Sequence, residues 1–327
     1  FDCLPEMTGS KSCIAHYDYD KDGDLDLFVG GRTVPGSYGK IPRSYLLQNN
    51  GGKFTDVTKA IAPSLEFVGM VTTATWTDVD GDKNAELLLT GDWMPPTVFK
   101  YRASKLENIT AATGLQTHTG WWNSVTTGDF DNDGDVDLAC GNWGLNSIWK
   151  ATEKDPLCLL VNDFDNNGSV DPILCCFLEG KEGTFGGRDF ICQAMTKYFN
   201  KYNTYESFAN TKVEDLFSKQ LYEKAQKLYA TEMRSCLFIN NGKGNFEKQP
   251  LPYQCQMAPV NSIVYFDFDN DGKQDLLLAG NTNQNFYDQG DIDALRGVLL
   301  KGDNKGNFST VPFTECGIQL PGFVRHL

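Results

Sequence analysis

Residues 126–141 read TTGDFDNDGDVDLACG. Five aspartates alternate along the stretch, Asp129, Asp131, Asp133, Asp135 and Asp137, with Gly134 between the third and the fourth. Val125 leads in and Leu138, Ala139 and Cys140 lead out, as expected for two strands joined by an acidic turn. Carboxylates packed this densely repel one another unless positive charge sits among them. A hard cation taking six to eight oxygens at about 2.3–2.6 Å answers that need, which points to calcium. Gly134 supplies the positive φ that turns the loop back around the ion.

The unit recurs as DYDKDGDLD from Asp18 to Asp26, DVDGDKNAE from Asp78 to Glu86, DFDNNGSVD from Asp163 to Asp171 and DFDNDGKQD from Asp267 to Asp275. The exits repeat too: LFVGG after Asp26, LLLTG after Glu86, LLLAG after Asp275. Shared spacing and shared flanks mark an internal repeat. An EF-hand would need a bidentate glutamate at loop position twelve, where Val29 and Cys140 stand inside apolar strands. The second loop departs most, with Lys83 in place of the glycine and Glu86 in place of the last aspartate.

The chain has 327 residues, 40% of them hydrophobic, with 32 glycines and a net charge of −14. Its size permits a large core, and its glycine and Asn/Asp turns favour an all-β architecture. The five loops hold 21 of the 43 acidic residues, so the acidity is concentrated at the proposed metal sites. Five calcium ions would bring the charge to roughly −4. No basic face is visible to neutralise phosphates, which argues against a nucleic-acid partner. No apolar run approaches the ~20 residues of a membrane span. The opening FDCLPEM carries no signal peptide and reads as the start of a mature or trimmed chain. Of the ten cysteines, Cys140, Cys175 and Cys176 fall in apolar strands as small hydrophobes, and Cys3 with Cys13 is the pair expected to bridge.

Each acidic loop joins two strands: 14–17 leads into the first and 27–30 out of it, followed by a third strand at 44–48. NNGGKF from Asn49 to Phe54 signals a hairpin, and NNGKGNF (240–246) and GDNKGNF (302–308) repeat it. Four antiparallel strands per unit suggest propeller blades at about 12–60, 65–112, 120–153, 157–250 and 257–313. The first aspartates are separated by 60, 51, 34 and 104 residues, implying a compact third unit and an insertion in the fourth. That insertion, about 189–233, has helical spacing, with Thr211 and Glu214 as a capping box ahead of Leu216, Phe217, Leu221, Ala225 and Leu228.

These loops resemble the calcium loops of FG-GAP/VCBS repeats, which build integrin-α-type β-propellers. DGDLDLFVGGRTVPGSYGKIPRSYLLQNNGGKFTDVT, GWWNSVTTGDFDNDGDVDLACGNWGLN and DFDNNGSVDPIL are similar to secreted bacterial VCBS-repeat proteins related to cartilage acidic protein, often joined to an ASPIC/UnbV domain. The resemblance implies metal ligation by side chains at loop positions one, three, five and nine and by the carbonyl at seven. The first loop then offers Asp18, Asp20, Asp22 and Asp26 with Asp24, and the second Asp78, Asp80, Asp82 and Glu86 with Asn84. The third offers Asp129, Asp131, Asp133 and Asp137 with Asp135, and the fourth Asp163, Asp165, Asn167 and Asp171 with Ser169. The fifth offers Asp267, Asp269, Asp271 and Asp275 with Lys273. It also implies seven or more blades, so that 314–327 reads as the lead-in to a further one and the chain as a piece of a longer protein.

Function is expected on the face away from the calcium turns, where Arg32, Trp93, Trp121, Trp122, Asn123, Asn142, Trp143, Arg188 and Asn281 fall. Aromatics interleaved with Asn and Arg suit a glycan or protein ligand, and the inserted segment could wall a pocket there. The chain contains neither GxSxG nor HExxH, and His16, His118 and His326 are scattered. The leading expectation is an extracellular or cell-surface calcium-stabilised scaffold for binding or adhesion. The alternatives are a carbohydrate lyase or hydrolase using the same face, and a structural subunit of a surface assembly.

Overall fold

The computed structural model describes residues 3–178, 180–283 and 290–327. β1 (Ser10–Tyr17), β2 (Asp26–Thr33), β3 (Tyr45–Asn50) and β4 (Lys53–Asp56) form the first antiparallel sheet, in that order. Its centre is apolar, with Phe28, Leu46 and Leu47 fully buried. The β3–β4 hairpin turns on Gly51 and Gly52, both at positive φ. β5 (Met70–Thr77), β6 (Glu86–Met94), β7 (Thr97–Arg102) and β8 (Lys105–Asn108) repeat the pattern, and the two-residue β9 (Gly120–Trp121) adds to β6.

The third sheet opens with β10 (Ser124–Gly128) and β11 (Asp137–Gly141) and then breaks off. The chain next builds another sheet from β12 (Leu157–Asn162), β13 (Asp171–Leu178), β14 (Lys181–Thr184) and β15 (Gln226–Ala230), in the order β14-β13-β12-β15. Only then do β16 (Cys236–Asn240) and β17 (Phe246–Pro250) return to complete the third sheet, with Leu138 opposite Phe238 and Cys140 opposite Cys236. The last sheet is β18 (Val260–Phe266), β19 (Asp275–Gly280), β20 (Val298–Gly302) and β21 (Phe308–Thr310).

The blade boundaries expected at 120–153 and 157–250 are therefore corrected. The fourth acidic loop belongs to a sheet nested inside the third, which is why it follows the third loop so closely. The expected helical insertion lies within this nested unit, between β14 and β15. Its short helices, Arg188–Ala194, Tyr205–Ala209, Val213–Leu216 and Lys219–Lys224, cover one face of the nested sheet. Ile191, Met195, Tyr198, Val213 and Phe217 pack there on Leu160, Phe164 and Ile173. The Thr211–Glu214 capping box does not form. Thr211 closes the preceding helix and donates its hydroxyl to the Ser207 carbonyl, so the caps are Thr204 and Ser218 instead. Leu228 is in β15 rather than a helix.

The other four sheets meet along their first strands. Ser12 of β1, Thr72 and Thr73 of β5, Ser124 of β10 and Ser262 of β18 line one cavity of about 300 Å³. Thr72 and Thr73 donate to the carbonyls of Trp122 and Asn123, and Ser124 to that of Val260. Gly141 permits this approach, since a Cβ there would sit 2.4 Å from the Val260 oxygen. In residues 314–327, Val324 N–H donates to the Gly280 carbonyl, as Trp122 N–H does to that of Gly91, and Leu327 N–H donates to Ser262 Oγ, placing Arg325 and His326 in the same cavity.

All ten cysteines are thiols, so the expected Cys3–Cys13 bridge is absent. The Cys3 carbonyl accepts from Phe54 on β4, while Cys13 lies on β1 at the other edge of the same sheet. Three strand spacings, about 14 Å, separate those edges, twice what a disulfide spans.

Candidate metal loops and an aromatic pocket

The five loops share one backbone design. The first aspartate accepts from the backbone of positions five and six: Asp18 from Asp22 and Gly23, Asp129 from Asp133 and Gly134, Asp267 from Asp271 and Gly272. Asp78 and Asp163 do the same. The ninth carboxylate reaches back to the N–H of position two, as Asp26 does to Tyr19, Asp137 to Phe130, Asp171 to Phe164 and Glu86 to Val79. In three sheets its second oxygen accepts from the third strand, at Asn49, Asn240 and Gly302.

Two backbone positions in each loop are left-handed. Position six is Gly23, Lys83, Gly134, Gly168 and Gly272, and position four is Lys21, Gly81, Asn132, Asn166 and Asn270. The second of these escaped the sequence reading, although Asn and Gly are the residues that tolerate that region best.

The fold gathers carboxylate oxygens within 4.8 Å of one another in every loop: Asp18, Asp20 and Asp22; Asp78, Asp80 and Glu86; Asp129, Asp131 and Asp137; Asp163, Asp165 and Asp171; Asp267, Asp269 and Asp271. Asp20 Oδ1 and Asp80 Oδ1 are buried without a hydrogen-bond partner. Burial pushes Asp26 and Asp137 up to about 6, and neighbouring aspartates add to the push. All-oxygen clusters fit a hard divalent cation, and in the first loop the orphaned Asp20 Oδ1 is an oxygen such an ion would take, whereas the other oxygen of Asp80 already meets the Lys100 ammonium. Asp24, at position seven, spends its carboxylate on the Gly51 N–H, which leaves its carbonyl as the group for an ion.

At the far ends of β2 and β6 lies a cavity of about 480 Å³. Arg32 and Asp92 stand six residues beyond the ninth loop position, about 20 Å along the strand. Trp121 forms its aromatic centre, edge-on to Trp93, Trp143 and Trp149 at centroid distances of 5.1, 5.3 and 5.8 Å. Trp93 Nε1 donates to Tyr38 Oη at 3.0 Å. Arg32 Nη1 lies 2.7 Å from Asp92 Oδ2, though without hydrogen-bond alignment. Burial would lower the Arg32 pKa, and Asp92 outweighs it to leave it raised. Besides Arg32 Nη1, three neutral donors in this wall are buried and without a hydrogen-bond partner: Trp121 Nε1, Trp143 Nε1 and Asn123 Nδ2.

Trp93 has φ +61°, a left-handed conformation that costs a bulky residue roughly 1–2 kcal/mol. It sits where the β6–β9 pairing slips between Asp92–Trp121 and Met94–Gly120, a bulge that re-aims its side chain.

Of the residues expected on this face, Arg32, Trp93, Trp121, Asn123 and Trp143 come together here. Trp122 does not: it is fully buried, with its indole N–H on the His118 carbonyl. Asn142 and Asn281 are buried fasteners, bonded to the carbonyls of Glu232 and Leu295. Arg188 belongs to the nested helices, bonded to Asp189 and the Tyr202 carbonyl. His118 packs against Phe238, apart from the pocket.

Tyr38, Asp92 and Trp149 were missed, although Asp92 adjoins Trp93 and Trp149 follows Trp143 by six residues. The nested unit does wall the pocket, but with its sheet, through Leu159, Pro172 and Leu174, rather than its helices. Pro172 follows Asp171, so the fourth loop abuts the pocket instead of facing away. Among the described lining residues Asp92 is the one carboxylate, and it faces Arg32.

Residues 18–89 and 78–140 match the FG-GAP-like repeat, spanning the first three acidic loops. The chain carries FG-GAP-like repeats. No curated protein matches it. Among solved structures, the crystal structure of the V. cholerae biofilm matrix protein Bap1 is similar at 12% identity and a TM-score of 0.36, over 94% of this chain and 40% of that one. The chain thus spans less than half the length of that protein, and a likeness this distant carries no functional argument.

Proposed function

We propose that this FG-GAP-repeat protein is a calcium-stabilised β-propeller scaffold that works outside the cell or at its surface and binds a glycan in the tryptophan pocket. The observation that carries the reading is the wall of Trp93, Trp121, Trp143 and Trp149 with three unpartnered donors among its rings. Indole faces and edges suit the apolar face of a sugar ring, and buried N–H groups without partners suit its hydroxyls. Unsatisfied buried donors are costly, and so is a left-handed tryptophan; both kinds of strain concentrate at ligand sites.

The propeller is supported by four repeated sheets whose first strands share one cavity. Calcium is supported by the oxygen clusters, and the millimolar affinity of extracellular calcium modules suits loops as exposed as these.

Binding of the purified chain to a glycan array, followed by calorimetry on the best ligand, tests the proposal. Trp143 lies at the edge of its cluster, only partly buried, so Trp143→Ala should keep the fold and weaken binding by about tenfold or more. Undiminished binding by the variant would remove the pocket from the account.

A further inference from the structure

The five acidic loops do not make the same demand for metal. On the third strand of each regular sheet, one residue lies just past the partner of loop position ten. Leu27 pairs with Leu47, Leu87 with Phe99, Leu138 with Phe238 and Leu276 with Leu300. The next residue is Gln48 in the first sheet, Lys100 in the second, Ile239 in the third and Lys301 in the last. Each is carried by strand register to the same place beside its loop.

Lys100 uses that place fully. Its ammonium lies 2.5 Å from Asp80 Oδ2, 2.7 Å from Asp82 Oδ2 and 2.9 Å from Glu86 Oε1. An ammonium has three N–H donors, and all three are spent on the carboxylates of one loop. The side chain is 16% exposed and Glu86 is 1% exposed, so the central contact is shielded from water. Gln48, by contrast, gives the first loop a neutral amide on Asp20 at 2.6 Å, and Ile239 brings no charge to the third. Lys301 reaches Asp269 and Asp271 but is 40% exposed and makes no contact with Asp275, the buried ninth carboxylate.

We propose that the second loop holds no divalent ion and that Lys100 occupies its cation site. Other features of the loop bear on this. Lys83 stands where the other loops have glycine, and Glu86 replaces the ninth aspartate, its extra methylene carrying the carboxylate out to the ammonium. Glu86 has no third-strand N–H on its second oxygen, because Lys100 takes that oxygen. Asp80 keeps one oxygen unpartnered, but its other is on Lys100. For calcium to enter, the ammonium would have to leave three carboxylates for solvent, and two like charges would otherwise share one oxygen cage. The second sheet would then hold its acidic turn at any calcium concentration.

The inference rests on the proposal that the other loops bind calcium, and the experiment separates the two. Calcium bound per chain is counted by calorimetry and elemental analysis for the wild type, Asp80→Asn, Asp131→Asn and Lys100→Met, with circular dichroism as the check on folding. Asp131→Asn should lose one ion, Asp80→Asn should lose none, and Lys100→Met should gain one. A wild type without calcium would overturn the general metal reading. Calcium in the wild type together with loss of one ion in Asp80→Asn would overturn this inference alone. The unmodified protein gives a second readout, the rate of Lys100 acetylation followed by mass spectrometry. Lys100 should stay protected both in EGTA and in saturating calcium. A rise in its acetylation on adding calcium would mean that the ion expels the ammonium, which contradicts the proposal.

Discussion

Lys83 shows what one side chain costs in a loop built for glycine. Its φ of +70° repeats the left-handed turn that Gly23, Gly134, Gly168 and Gly272 make elsewhere. A Cβ in that region crowds the following carbonyl, and glycine avoids the clash at some entropic expense in the unfolded chain. Lys83→Gly is therefore expected to stabilise the protein by about 0.5–1 kcal/mol, read as a shift in the denaturant midpoint. Trp121 and Trp122 make a different point at the same scale. β9 ends at Trp121, and the adjoining Trp122 turns the other way, so one lines the pocket and the other fills the core with Phe238 and Cys236. The sequence marks both as interesting, and only the register of β9 on β6 says which is which. Trp93 adds a third case, since nothing in WMPP announces a left-handed tryptophan.

Between elements, Glu232 fastens the exit of the nested unit to the third sheet. Its carbonyl takes Asn142, and its carboxylate takes Arg234 and Lys248 of β17 at 2.7 and 2.8 Å. Burial alone would push this carboxyl up, but the two cations outweigh it and hold it at about 2. A folded-state value below the unfolded 4.5 means stability that is present above about pH 4.5 and is lost as the pH falls toward 2. Glu232→Gln should cost roughly 3 kcal/mol at pH 7 and flatten the pH dependence of unfolding between about pH 5 and 2. An unchanged acid limb in the variant would mean that the fastening contributes nothing.

The acidic loops and the hairpins after them were legible because each is local, with ligands, turn and flanking strands inside about ten residues. The nesting was not, because β11 finds its partner β16 only after a complete sheet has intervened. Nothing in the residues of β12 distinguishes a new unit from an interrupted one.

For the whole molecule, the loops join the first and second strands of every sheet, and three of them also hold the third strand through a buried ninth carboxylate. Their charge is therefore a property of the architecture. Without cations, aspartates such as Asp18, Asp20 and Asp22 are left in contact range with like charge and nothing between them. The nested loop adds a link to the pocket, because Pro172, next to Asp171, is part of the pocket wall. The most direct test of the calcium-stabilised scaffold is thermal unfolding of metal-analysed protein in calcium and then in excess EGTA. The account predicts several calcium ions per chain and a midpoint that falls by many degrees when they are removed. A sample with no bound calcium and the same midpoint in both buffers would contradict it.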